Sequence, residues 1–200
     1  DNGAGYPTGF ANGLTNNYKT AIRFLYPDGG TNTTTRTRSG KISGKWYYEL
    51  KLEKTAGWKS IGWIDANSTL SGFPGNQSGN VGVGWLINGL NRIYHDGTFD
   101  TWGDAVPAND KDYLMTALDC ATGDIWFGIN GVWYNDGVPS AGADPNTLDP
   151  AYTETEFIGV SAFPYAFTYD NNFYAADTVT IKTRESECEG TIPSGFSALE

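Results

Sequence analysis

The chain has 200 residues, a net charge of −10 and two cysteines. An acidic chain repels phosphate backbones, which argues against nucleic acid as a partner, and two cysteines supply neither a disulfide framework nor a four-cysteine zinc site. No apolar run approaches the ~20 residues of a membrane-spanning helix, which argues against membrane insertion. The 26 glycines and 9 prolines punctuate short elements, while 7 Trp, 12 Tyr and 10 Phe favour strands. The start at Asp1, without a basic apolar leader, reads as a processed or excised piece.

Residues 1–40 read as an irregular Gly/Asn/Thr lead-in with a first strand at 21–26, AIRFLY, closed by PDGG at 27–30. TNTTTRTRSG (31–40) is polar and β-branched, as an edge strand or loop would be. GKWYYELKLE (44–53) alternates. Trp46, Tyr48, Leu50 and Leu52 share one face, and Lys45, Tyr47, Glu49, Lys51 and Glu53 share the other, the pattern of a half-buried strand. Strands follow at 59–66 and 81–87, then the segment NRIYHDG (91–97), which ends at Asp96-Gly97, and a strand at 112–119, with a long Gly/Ser/Asn loop at 67–80 and a turn at Asn88-Gly89. ATG (121–123) turns the chain into DIWFGI, and Asn130-Gly131 turns it again into VWYNDG. Asn-Gly and Asp-Gly accept the positive φ angles of tight hairpins. A polar loop spans 138–156, and FIGVSAF (157–163) and DTVTIKT (177–183) close the strand set. No segment carries a 3.6-residue apolar stripe over three turns. The expectation is an all-β antiparallel sandwich with almost no helix, in one domain: lead-in 1–40, core 41–183, polar tail 184–200.

Gly44 with KWYYEL, then SIGWID, Gly103-Asp104 before LMTALD, Gly123 with Ile125 and Phe127, and Asn130-Gly131 stand in an order that resembles the SPRY domain. The resemblance covers roughly residues 40–183. It implies a bent, lectin-like β-sandwich of the jelly-roll type that binds a protein, peptide or sugar through loops at one end, without catalysis or cofactor. The closing IPSGFSALE is similar to the ending of SPRY-like segments in phage virion proteins, although KTRESECEG replaces the aromatic-Gly-Gln stretch expected before it. This second likeness implies a virion or extracellular setting, with virion proteins or a host surface receptor, protein or glycan, as partner. A homo-oligomer is compatible with it, though no heptads are present.

Catalytic chemistry finds little footing in the residues. Glu49 and Glu53 lie four apart on one strand, roughly 13 Å at ~3.3 Å per residue, beyond the ~5–9.5 Å of paired glycosidase carboxylates. A surface charge pattern explains Glu49 and Lys51 better. His95 is the sole histidine, so any histidine-based nucleophile would need it. It reads instead as a turn residue beside Tyr94 that could touch a ligand. Asp96 and Asp100, and Asp104, Asp110 and Asp112, could offer oxygens to calcium but lack EF-hand spacing, so no metal is expected. Asn32, Asn67 and Asn76 head Asn-x-Ser/Thr triplets. Cys120 and Cys188 read as free thiols, with a bond between them open.

The aromatics carry the functional expectation. Ile125, Phe127 and Ile129 share the core face of their strand, which turns Trp126 outward. Either the chain's ends cover that indole or a partner does. Trp58 and Trp102 fall in expected loops, and Trp46, Trp63 and Trp85 inside strands. The candidate ligand-binding residues are therefore Trp58, Tyr94, His95, Trp102 and Trp126, on a binding end formed with loop 67–79. The alternatives are an intracellular SPRY-type peptide-binding domain, a carbohydrate-binding module of an enzyme, and a purely structural virion subunit.

Overall fold

The computed structural model describes residues 14–15, 20–22, 32–37, 39–54, 57–68, 75–76, 79, 81–87, 91–103, 106–169 and 178–200. The turns expected at 27–30 and 88–89, Asp104 and residues 23–26 of the first expected strand lie outside them. In chain order the first strands are β1 (Leu14–Thr15), β2 (Thr20–Ile22), β3 (Asn32–Arg36), β4 (Lys45–Lys54) and β5 (Trp58–Ile64). Next come β6 (Gly82–Ile87), β7 (Arg92–His95), β8 (Thr98–Thr101), β9 (Tyr113–Asp119) and β10 (Asp124–Ile129). The remainder are β11 (Val132–Asn135), β12 (Val138–Pro139), β13 (Tyr152–Thr153), β14 (Phe163–Tyr169), β15 (Thr178–Lys182) and β16 (Ser197–Ala198). Among the described residues, helix is limited to single 3-10 turns at Thr155–Phe157 and Glu185–Glu187.

One sheet runs β1-β2-β15-β4-β9-β10-β11-β12, with β13 added to β10 and β16 to β4; the other runs β3-β14-β5-β6-β7-β8. The described pairings are antiparallel except β16 on β4. The all-β sandwich expected from the alternation is therefore the observed fold. Asn130-Gly131 and Asp96-Gly97 hold positive φ at both positions (51° and 81°, 49° and 75°), which matches the twist of the strands that each pair joins.

FIGVSAF is not the strand that its β-branched content suggests. Phe157 ends a 3-10 turn and is wholly buried, and Gly159 sits at φ 73°, which breaks the extension. The strand is instead β14, which contains Pro164. Backbone N and O of one residue point to the same side of a strand. The Pro164 oxygen accepts from Thr37 N (3.1 Å), so its missing N–H faces the chain just beyond the end of β3. Proline is tolerated at such a ladder end.

The inner faces of both sheets meet in one core: Leu50, Leu52, Leu114, Leu118, Ile125 and Phe127 from one, Ile61, Trp63, Val83, Trp85 and Ile93 from the other. Polar side chains cross this layer. Trp63 Nε1 donates to Thr116 Oγ1 (3.0 Å). The Tyr48 hydroxyl accepts from Gly62 N (3.0 Å) and Tyr165 N (3.2 Å) and donates to Gly62 O (2.5 Å). Gly62 is required there, because a Cβ would lie 2.0 Å from Val83 O. Burial keeps the Tyr48 phenol protonated far above its ordinary range. Tyr48→Phe leaves two N–H groups with no acceptor from β4 and is expected to cost about 1–3 kcal/mol in urea denaturation.

A second apolar layer lies on the outside of the larger sheet. Tyr47, Met115, Ala117, Trp126 and Trp133 pack there beneath Phe196, with Tyr113, Leu148, Cys188 and Ile192 at its margin. The outward face of β4 is thus covered, and Glu49, expected in a surface charge pattern, is fully buried. Its Oε1 accepts from Tyr47 OH (2.6 Å) and Gly190 N (2.7 Å), and its Oε2 from Glu189 N (2.8 Å). The carboxylate ties the C-terminal strap, residues 184–200, to the sheet. Strand alternation reports one face of β4 as polar because it cannot see a cover from 140 residues away along the chain.

Candidate functional site

Strand register sorts the loops between two ends of the sandwich. β5, β6, β7 and β8 pair Ile64 with Gly82, Val83 with His95, and His95 with Thr98, so these residues share one end. Lys59 with Ile87 and Arg92 with Thr101 mark the opposite end. In the other sheet Lys45, Asp119 and Asp124 stand together, and Lys41 bridges Ala162, one residue along from Ile64 ↔ Phe163. The His95 end therefore gathers residues 41–44, 65–68, 95–98, 120–124 and 152–162.

The five aromatic candidates do not converge. Trp58 begins β5 and is half-buried at the end away from His95. Trp102 also follows the far end of β8, and it is 7% exposed, packed against Trp85, Phe127 and Tyr134. Its expected loop is short: Trp102 N donates to Asn91 O (2.9 Å), which draws the indole inward. Trp126 is 6% exposed. Phe196 meets it edge-on (5.9 Å) and its Nε1 donates to Leu148 O (3.1 Å). The strap and the 138–156 loop thus cover that indole. Tyr94 is buried against Phe99 on the outer side of β7 and β8. Trp63 and Trp85 lie wholly in the core, and Trp46 is half-buried with Lys41 Nζ over its ring (3.9 Å).

His95 is the candidate whose surroundings carry polar chemistry. Its Nε2 lies 2.9 Å from Asp100 Oδ2 and its Nδ1 3.0 Å from the Tyr152 hydroxyl. Asp96 Oδ2 stands 3.7 Å from Nδ1, and the Tyr152 ring stacks on the imidazole (4.3 Å between centroids). Burial, then the charges of Asp96, Glu154 and Asp100, pushes the Tyr152 phenol up to about 12. The loops at this end expose Ile42 (56%), Ile158 (48%) and Val160 (40%). Sequence reading passed over Tyr152, Glu154 and these three aliphatics. The available signal was the Y-x-E spacing at 152–154, which puts both side chains on one side of an extended segment; its position in a proline-bounded polar loop hid it.

Glu154 is held above its ordinary carboxyl range, first by burial and then by Asp96 and Glu156, against the opposing effects of the Glu156 N–H and His95. The folded carboxyl keeps its proton to higher pH than the unfolded one. Its contribution to stability is therefore full below the unfolded value of about 4.5 and is lost as pH rises through the folded value. Glu154→Gln is expected to raise Tm at pH 7 and to change it little at pH 4. Thermal melts at the two pH values check this, and a lower Tm for the variant at pH 7 contradicts it.

Other chemistry-bearing side chains have packing roles. Glu53 pairs with Lys111 (2.8 Å), whose ammonium holds the carboxyl below its ordinary range. Asp112 caps the 109–112 turn through Asn109 N (2.7 Å) and receives Asn130 Nδ2 (2.7 Å). Among the described residues no group of three or more His, Cys, Asp or Glu is placed to hold a metal ion. Cys120 and Cys188 are both free thiols in different layers; burial above all pushes them up to about 11 and about 12.

No family model matches the chain, and no curated protein matches it by sequence. Solved structures do match by shape. The SPRY domain of human HERC1 superposes with a TM-score of 0.53 at 16% identity, over 84% of this chain and 96% of that one. A second human SPRY domain gives 0.53 at 13% identity, over 85% and 94%. Together with the two-sheet topology and the ordered motifs of the central strands, these likenesses show that the chain has the fold of a SPRY domain.

Proposed function

We propose that the chain is a non-catalytic recognition module that holds a protein partner at the His95 end of its sandwich. The observation that carries this reading is that one end of the sandwich both exposes Ile42, Ile158 and Val160 and holds the His95–Tyr152–Asp100 group. Apolar side chains rimmed by polar ones are the anatomy of a protein interface. Loops on a rigid sandwich are free to vary without disturbing the core. A carbohydrate-binding reading loses one of its stacking residues, because Trp102 has its faces taken by Trp85, Phe127 and Tyr134.

The test is a random peptide library displayed and panned on the wild-type chain and on an Ile158→Asp/Val160→Asp variant. Both positions are exposed, so the variant keeps its Tm. Peptides selected on the wild type are expected to bind the variant at least about tenfold more weakly, a loss of ~1.4 kcal/mol. Equal binding to both proteins rejects the His95 end as the interface.

For the setting, we propose a virion or extracellular assembly that contacts a host surface. Support comes from the likeness of IPSGFSALE to the ending of SPRY-like segments in phage virion proteins. Fluorescently labelled protein that binds intact host cells supports this setting. A partner confined to the cytosol, bound through one dominant peptide, supports the intracellular alternative instead.

A further inference from the structure

Glu154 follows β13 in extended backbone (φ −101°, ψ 94°). Its side chain therefore leaves the segment on the same side as that of Tyr152, two residues earlier. Tyr152 lies on His95, and His95 meets Asp96 and Asp100, whose side chains are 61% and 71% exposed. Glu154 itself is only 5% exposed. Its Oε1 accepts from Glu156 N (3.0 Å), while Oε2 is buried with no hydrogen-bond partner. A buried carboxyl oxygen facing no donor is costly, and a donor brought by a partner would relieve that cost. His95 is the basic side chain that acts on Glu154, and it is already engaged by Asp100 and Tyr152.

The cluster is short of donors, and its shape selects among them. A metal ion is disfavoured, since no three ligating groups among the described residues come close enough. A guanidinium fits better. It is planar, carries five N–H groups in a rigid fork, sheds water readily and stacks on aromatic faces such as the Tyr152–His95 pair. Glu154 is held at one oxygen only, so an incoming group reaches the other once the side chain turns outward.

We propose that the Glu154, Asp96 and Asp100 carboxylates, with the Tyr152–His95 pair, form the site for an arginine side chain of the protein partner. This rests on the His95 end being the recognition face, and it names the chemistry recognised there. Ile158 and Val160, just beyond Glu154, receive an apolar residue that flanks the arginine. The chain's net charge of −10 favours a basic segment at longer range.

The probe is N-acetyl-arginine methylamide, titrated at low salt into 15N-labelled protein, with the lysine counterpart alongside. The arginine probe is expected to shift the amide signals of residues 95–100 and 152–156, with the lysine probe weaker. Glu154→Gln and the exposed change Asp96→Asn should each weaken the response at least about fivefold. No shifts in these segments, or equal shifts in both variants, overturns the proposal. Library peptides that depend on Ile158 and Val160 but carry no enriched arginine also overturn it, and leave the recognition reading standing.

Discussion

Trp85→Ala is expected to be the most destabilising single change in the core, by about 3–5 kcal/mol. Trp85 is fully buried on β6 and is met by Trp102 (5.4 Å), Tyr134 (5.3 Å) and Phe127 (5.8 Å). These rings come from both sheets, so the indole fills the gap where the sheets face each other. Its Nε1 also donates to the buried Asn91 Oδ1 (2.5 Å), which alanine leaves without that donor. A domain stable by ~5–15 kcal/mol loses a large share of its margin. Urea denaturation measures the loss. A cost below about 1.5 kcal/mol would mean that the site collapses around the cavity or that Trp102 and Tyr134 repack into it. Because Trp102 belongs to the same ring cluster, its truncation is expected to register as lost stability first.

The second large effect lies at the strap. Glu49→Ala removes the acceptor of Tyr47 OH, Glu189 N and Gly190 N together, and about 3 kcal/mol is expected to be lost. Glu49→Gln keeps one acceptor oxygen, enough for the Tyr47 OH and Gly190 N pair but not Glu189 N, and should cost about half as much. Phe196→Ala, which uncovers Trp126, is expected to cost about 3 kcal/mol. Both changes loosen one element, so their costs should fall short of additivity when combined. Hydrogen exchange at residues 185–200 reads the effect directly: amides of the strap should exchange faster in either variant while those of β5 and β6 hold. Unchanged exchange across the strap would show that it does not depend on this anchor.

Much of the sandwich is legible in the chain because it is local. Period-two alternation marks β4 and β10, and positive-φ dipeptides mark two of the hairpins. β14 was hidden by Pro164, since whether a strand tolerates proline depends on where the neighbouring ladder ends. The cover over Trp126 was the open alternative in the sequence, and its source is split between Phe196 and Leu148, 70 and 22 residues away. The candidate site was the least legible. His95 was visible as the only histidine, but Tyr152 and Glu154 reach it only through the pairing of β13 with β10. Trp58 and Trp102 looked like loop residues near His95 because distance along the chain says nothing about which end of a sandwich a loop occupies.

The most direct test of recognition at the His95 end is the hydrogen-exchange footprint of a peptide selected on the wild-type chain. Binding there predicts protection at 41–44, 95–98, 120–124 and 154–161, with 57–59, 109–112 and 130–132 unchanged. Protection centred on the second set, around Trp58 and the Asn130-Gly131 turn, would contradict it.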